Sequence, residues 1–88
     1  MAYSVELAAS ADRELRKLDP QQRRRILKFL SQRIAKLEDP RSVGEPLHGE
    51  LGEFWKYRVG DYRIITTIED DRLLVLVLRV GHRKEIYR

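Results

Sequence analysis

Trp55-Lys56-Tyr57-Arg58-Val59-Gly60-Asp61-Tyr62-Arg63-Ile64 decides the fold. Two runs rich in aromatic and β-branched residues flank Gly60-Asp61, a dipeptide suited to a two-residue hairpin turn. With that dipeptide as the turn, Val59 pairs with Tyr62, Arg58 with Arg63, Tyr57 with Ile64 and Lys56 with Ile65. Alternation then gathers Trp55, Tyr57, Val59, Tyr62 and Ile64 on one face as a core, and Lys56, Arg58 and Arg63 on the opposite face. Like charges directly opposite one another destabilise a sheet by roughly 0.2–1 kcal/mol. Two long arginines splayed into water are the plain explanation of the Arg58–Arg63 pair; a bound anion between them is the functional one.

Working outward, the hairpin extends to strands from Phe54 to Val59 and from Tyr62 to Glu69, followed by a third from Arg72 to Val80. The third is nearly all apolar from Leu73 to Leu78, which suits an interior position. Past Gly81 the chain carries His82-Arg83-Lys84-Glu85-Ile86-Tyr87-Arg88, polar and aromatic groups attached to the end of a buried strand. Together, Lys56, Arg58, Arg63, His82, Arg83 and Tyr87 read as a phosphate site with an aromatic plate for a base.

Upstream, Tyr3, Val5 and Leu7 alternate with Ser4 and Glu6 as a short half-buried strand. Ser10 is a candidate cap for a helix from Ala11 to Leu18. Asp19-Pro20 begins a second helix to about Leu37, with Gln22 at the capping-box position and Ile26, Phe29, Leu30, Ile34 and Leu37 on its apolar stripe. Glu38-Asp39-Pro40 ends it, and Gly44, Pro46, Gly49 and Gly52 read as a long loop. The expected architecture is therefore α+β, in the order β-α-α-β-β-β: an antiparallel sheet with both helices packed on one face and a short C-terminal segment.

A chain of 88 residues makes a single domain, 1–88, with 36% charged residues, no cysteine and a formal net charge of +4. That balance favours a phosphate-rich or acidic partner. No apolar run is long enough to cross a bilayer and no signal-like segment follows Met1, so the expected setting is the cytoplasm, without a membrane partner. Cysteine is absent and neither histidine has a partner at metal-ligand spacing, so no metal and no cofactor are expected. His48, in the glycine-rich loop, reads as a loop residue without chemistry. The helix cations Arg23, Arg24, Arg25, Lys28, Arg33 and Lys36 are either a solvated face or an RNA-docking face.

The chain resembles the RelE branch of the RelE/ParE toxin superfamily, the toxin halves of microbial toxin–antitoxin pairs. The resemblance lies in the opening strand, the helix end Leu15-Arg16-Lys17-Leu18, and Pro46-Leu47 through Gly52. It continues in Trp55-Lys56-Tyr57-Arg58, Asp61-Tyr62-Arg63-Ile64, and Val80-Gly81-His82-Arg83-Lys84-Glu85-Ile86-Tyr87. It implies a microbial-ribonuclease-like fold and a ribosome-dependent endoribonuclease, an mRNA interferase that cuts translated messenger RNA in the A site and so inhibits translation. A ParE-like toxin that poisons DNA gyrase by binding is the alternative. It also implies a cognate RelB-like antitoxin that forms an autorepressing complex, with the ribosome and messenger RNA as the other partners.

The family's catalytic positions fall on Lys56, Arg58, Arg63, Arg83 and Tyr87. Arg58 stands where the family usually has lysine, and a guanidinium stabilises charge but is a poor proton acceptor. Arg58 and Arg63 are expected to stabilise the phosphorane, Arg83 to hold the phosphate or the leaving oxygen, and Tyr87 to stack on a base or bond the sugar-phosphate. Two candidates remain for the general base. Lys56 is one, because neighbouring cations favour the neutral form of an amine, and His82 is the other, because imidazole as a group changes charge near neutrality. Arg23, Arg24, Lys28, Arg33, Lys36, Lys84 and Arg88 are the residues expected to contact RNA or the ribosome.

Overall fold

A computed structural model describes residues 2–49 and 52–82. The expected hairpin is present in the expected register: β3 (Gly52–Val59) and β4 (Tyr62–Glu69) pair antiparallel, Val59 with Tyr62 and Arg58 with Arg63. Gly60, at φ +60, takes the left-handed conformation that the tight turn demands. β4 pairs in turn with β5 (Leu74–His82), with an irregularity at Ile65/Thr66. The buried Thr66 hydroxyl donates to the Trp55 carbonyl there (2.9 Å).

Two features go beyond the sequence reading. β1 (Ser4–Leu7) runs parallel to β5, so the sheet is mixed. The segment expected as a loop contains β2 (Glu45–Gly49), an edge strand antiparallel to β3 with Glu45 opposite Lys56. The sheet order is β1-β5-β4-β3-β2, which places the apolar β5 between two neighbours, as its composition required. β2 escaped notice because Pro46 and two glycines read as breakers, yet an edge strand tolerates proline where an interior one does not.

Between β1 and β2 the chain forms α1 (Ala9–Arg16) and α2 (Pro20–Gln32). Asp19 caps α2 as expected, its carboxylate accepting from the Gln22 N–H at 3.0 Å. Ser10 does not cap α1. The helix begins two residues earlier, at a junction where the Ala8 N–H donates to the Val77 carbonyl, and the Ser10 hydroxyl donates to the Leu78 carbonyl (2.7 Å). Glu14, one turn on, accepts from the Val80 N–H (2.9 Å) and from the Arg79 guanidinium. Beyond the reach of β1, then, α1 supplies the partners that another strand would have given β5. α2 is shorter than expected and passes into a 3-10 turn at Ile34–Lys36, which keeps Ile34 fully buried.

The core lies between the helices and one face of the sheet. Ala11 and Leu15 from α1, Ile26 and Leu30 from α2, and Ile34 meet Tyr57, Val59, Ile64, Val75, Val77 and Val80. Each large apolar side chain so buried contributes roughly 1.5–3 kcal/mol. Among the described residues no helix is long and apolar enough to cross a membrane.

Candidate functional site

The pairing of Arg58 with Arg63 survives in three dimensions, and the two arginines do not occupy equivalent environments. Arg58 is exposed, whereas Arg63 is only 8% exposed, and its Nη1 is buried without a hydrogen-bond partner among the described residues. A buried polar group left unsatisfied costs roughly 1–3 kcal/mol, and a charged one more. The splayed-into-water explanation therefore fails for Arg63.

Both arginines line a cleft of about 380 Å³. β3 and β4 contribute Lys56, Tyr57, Arg58 and Arg63; the end of α2 contributes Phe29 and the adjoining Arg33; Gly44 and Glu45 form the opposite wall. That wall is built onto the sheet by three contacts. Trp55 Nε1 donates to the Val43 carbonyl (2.8 Å), and the Tyr57 hydroxyl donates to the Pro40 carbonyl (2.6 Å). Gly44, at φ +86, lies so close to β3 that a Cβ there would stand 2.5 Å from the Lys56 carbonyl oxygen. A 3-10 turn at Pro40–Ser42 leads into this wall and is clasped by Arg41, whose guanidinium forks onto Asp70 at 2.8 and 3.1 Å.

Among the described residues four cations, Arg33, Lys56, Arg58 and Arg63, thus share one cleft with a single carboxylate. The Glu45 Oε2 lies 3.5 Å from Lys56 Nζ. Burial pushes the Tyr57 phenol far above its ordinary range, so at the cleft wall it is a neutral hydrogen-bond donor. Such a site concentrates positive potential where an anion can be desolvated. Among the described residues no three histidine, cysteine, aspartate or glutamate side chains come together as metal ligands.

The structure brings Lys56, Arg58, Arg63 and Arg33 together and sets others apart. His82 lies in a separate cleft with Glu14, Lys17 and Arg79, its ring edge-on to Tyr62 at 5.8 Å. Lys28 lines a groove that adjoins the cationic cleft, while Arg23, Arg24 and Lys36 line neither. His48 is on β2, opposite Glu53. Arg83, Lys84, Tyr87 and Arg88 lie outside the described residues. Glu45 was overlooked because it precedes a proline in a segment that reads as loop; the signal available was its isolation, a lone acid between Gly44 and Pro46 upstream of a cationic strand. Phe29 read as core alone, and it is core, packed edge-on against Tyr57 at 6.0 Å, but it also floors the cleft.

Residues 5–87 match the family of ParE toxins of type II toxin–antitoxin systems. Toxin RelG of Mycobacterium tuberculosis is 36% identical over the whole of this chain and 99% of its own length. Among solved structures, the RelBE2 toxin–antitoxin complex of M. tuberculosis is similar at a TM-score of 0.85, with 33% identity over 97% of this chain and 95% of that one. The intact RelBE toxin–antitoxin complex of E. coli is similar at 0.72, with 28% identity over 92% of this chain and 96% of that one.

Proposed function

The chain belongs to the ParE toxin family of type II toxin–antitoxin systems, as a RelE-type toxin of the RelE/ParE superfamily, and from that premise we propose that it is an endoribonuclease that cuts translated messenger RNA in the ribosomal A site. The observation that carries the reading is Arg63, a guanidinium buried to 8% exposure with one nitrogen unpartnered among the described residues, in a cleft shared with three further cations. A gyrase-binding surface has no need of a desolvated, unsatisfied arginine; a site for a phosphodiester that gains charge during reaction does.

In this mechanism the 2′-hydroxyl oxygen attacks the adjacent phosphorus in line with the 5′-oxygen. The 2′-O–P bond forms as the base takes the 2′-hydroxyl proton, the P–O5′ bond breaks, and the leaving 5′-oxygen takes up a proton from water, so that the products are a 2′,3′-cyclic phosphate and a 5′-hydroxyl. Arg63 and Arg58 stabilise the doubly charged phosphorane, so the cleft's own cations supply the charge and no metal is required. Glu45, paired with Lys56, joins the candidates for the base that takes the 2′-hydroxyl proton, because a carboxylate accepts a proton without first losing one. Arg83 and Tyr87 keep their expected roles at the leaving oxygen and on the neighbouring base. The partner in the cell is a RelB-like antitoxin that covers the basic surface and, with the toxin, represses their shared operon.

The test is induction of the chain alone in growing bacteria, followed by mapping of RNA 5′ ends. Cuts within codons that disappear when translation is blocked support the reading. Equal cutting of ribosome-free RNA, or DNA breaks with intact messages, overturns it.

A further inference from the structure

The cationic cleft does not end at Arg58. A second groove of about 430 Å³ opens from it, and Phe29, Arg33 and Arg58 line both. The groove adds Arg25 and Lys28 from α2 and ends at the hairpin turn, where Arg25 lies so close over Gly60 that a Cβ there would meet its Nη1 at 3.0 Å. Arg25 to Arg33 cover about 12 Å along the helix axis.

The charge balance of this groove is one-sided. Among the described residues its lining holds four cations and no carboxylate. The ion pairs among the described residues engage Arg16, Arg41, Lys56, Arg72 and Arg79; none engages Arg25, Lys28, Arg33 or Arg58. The chain carries 14 Asp and Glu residues against 18 Lys and Arg, and the acids in the ion pairs among the described residues are Asp12, Glu14, Glu45, Glu69 and Asp70, none of which lines this groove. Among the described residues no aromatic group apart from the half-buried Phe29 lines the groove, so these side chains are equipped to hold a charged backbone and not to read bases.

We propose that one RNA strand occupies cleft and groove together, its scissile phosphate against Arg63 and the adjoining backbone along α2 on Arg25, Lys28, Arg33 and Arg58. The inference rests on the RNA-cleaving reading above and adds to it a path for the substrate. A second RNA docked on the same groove offers the same chemistry, and the experiment separates the two.

The probes are all-2′-deoxy oligonucleotides, which lack the attacking hydroxyl and cannot be cut: a trinucleotide confined to the cleft and a nonamer long enough to enter the groove. Binding of the full-length toxin is followed by fluorescence anisotropy across a salt series. The nonamer should bind more tightly than the trinucleotide. The double variant Arg25→Ala, Lys28→Ala should lose most of that advantage, leave trinucleotide binding unchanged, and lower the nonamer's salt slope by about 1.4, or 0.7 for each lost contact to a single strand. Arg25→Lys, Lys28→Arg should restore the length advantage, and circular dichroism checks that each variant is folded. A double variant that binds both oligonucleotides as the native chain does, including one that loses only ribosome association, overturns the single-strand path. If Arg63→Ala leaves trinucleotide binding intact, the cleft reading itself fails; normal Arg63 dependence without a length effect sinks the groove alone.

Discussion

Arg63 contributes to the cleft at the expense of the fold. Replacing it by methionine, similar in length and without charge, should stabilise the domain by about 1–3 kcal/mol, seen as a higher midpoint in urea, while abolishing RNA cleavage. A midpoint that falls would mean that Arg63 is satisfied and structural. The base is tested at the same scale by comparing Glu45→Gln with Lys56→Ala in single-turnover cleavage across pH. Loss of a general base lowers the rate by roughly 10²–10⁴-fold, and the variant that also removes the acid limb of the profile identifies it. The position of Arg58 opposite Arg63 was legible from the hairpin register. The burial of Arg63 was not, since alternation assigns a side chain to a face but not to the shelter that neighbouring elements give that face.

The elements that build the cleft wall are held by contacts distant in sequence. Gly44 admits no side chain: Gly44→Ala adds both a left-handed strain and a clash with the β3 backbone, and should cost about 2 kcal/mol or more while widening the cleft. Thermal melts and the affinity for an uncleavable oligonucleotide should fall together. The clasp is sensitive to pH. The Arg41 guanidinium, and secondarily the Tyr3 hydroxyl, holds the Asp70 carboxyl below its ordinary range. A group whose pKa is lower in the folded state stabilises above its unfolded pKa, near 3.9, and loses that contribution as pH falls through the folded value. Asp70→Asn should therefore melt lower than the native chain at neutral pH, and the difference should vanish in acid below the usual carboxylate range and shrink with added salt. Hairpin, turn and register were all legible because local residue types dictate them. β2 and the clasp were not, because what makes Glu45–Gly49 a strand is the free edge of β3, a partner that the segment's own composition does not announce.

At the scale of the whole molecule, order of elements and apolar pattern were enough to place two helices on one face of a sheet, and the resemblance to known relatives extended over nearly the full length. The parallel β1–β5 pair and the continuity of cleft and groove emerge only in three dimensions, the first because it joins residues from opposite ends of the chain and the second because it sets α2 against the β3–β4 hairpin. The treatment of β5 bears on how such a domain survives in a crowded cell. Its far edge is paired with β1 from Leu74 to Val77 and then with the Ser10 hydroxyl and the Glu14 carboxylate, while the opposite edge of the sheet carries Pro46. A strand edge left open is a template for another chain, and here the hydroxyl and the carboxylate act as gatekeepers against polymerisation. Removing both, as Ser10→Ala with Glu14→Ala, should leave a folded domain that scatters light and forms thioflavin-positive aggregates on standing; a double variant that stays dispersed would show the edge to be closed by other means. Beyond Val77 the edge of β5 is thus covered by two side chains of one short helix.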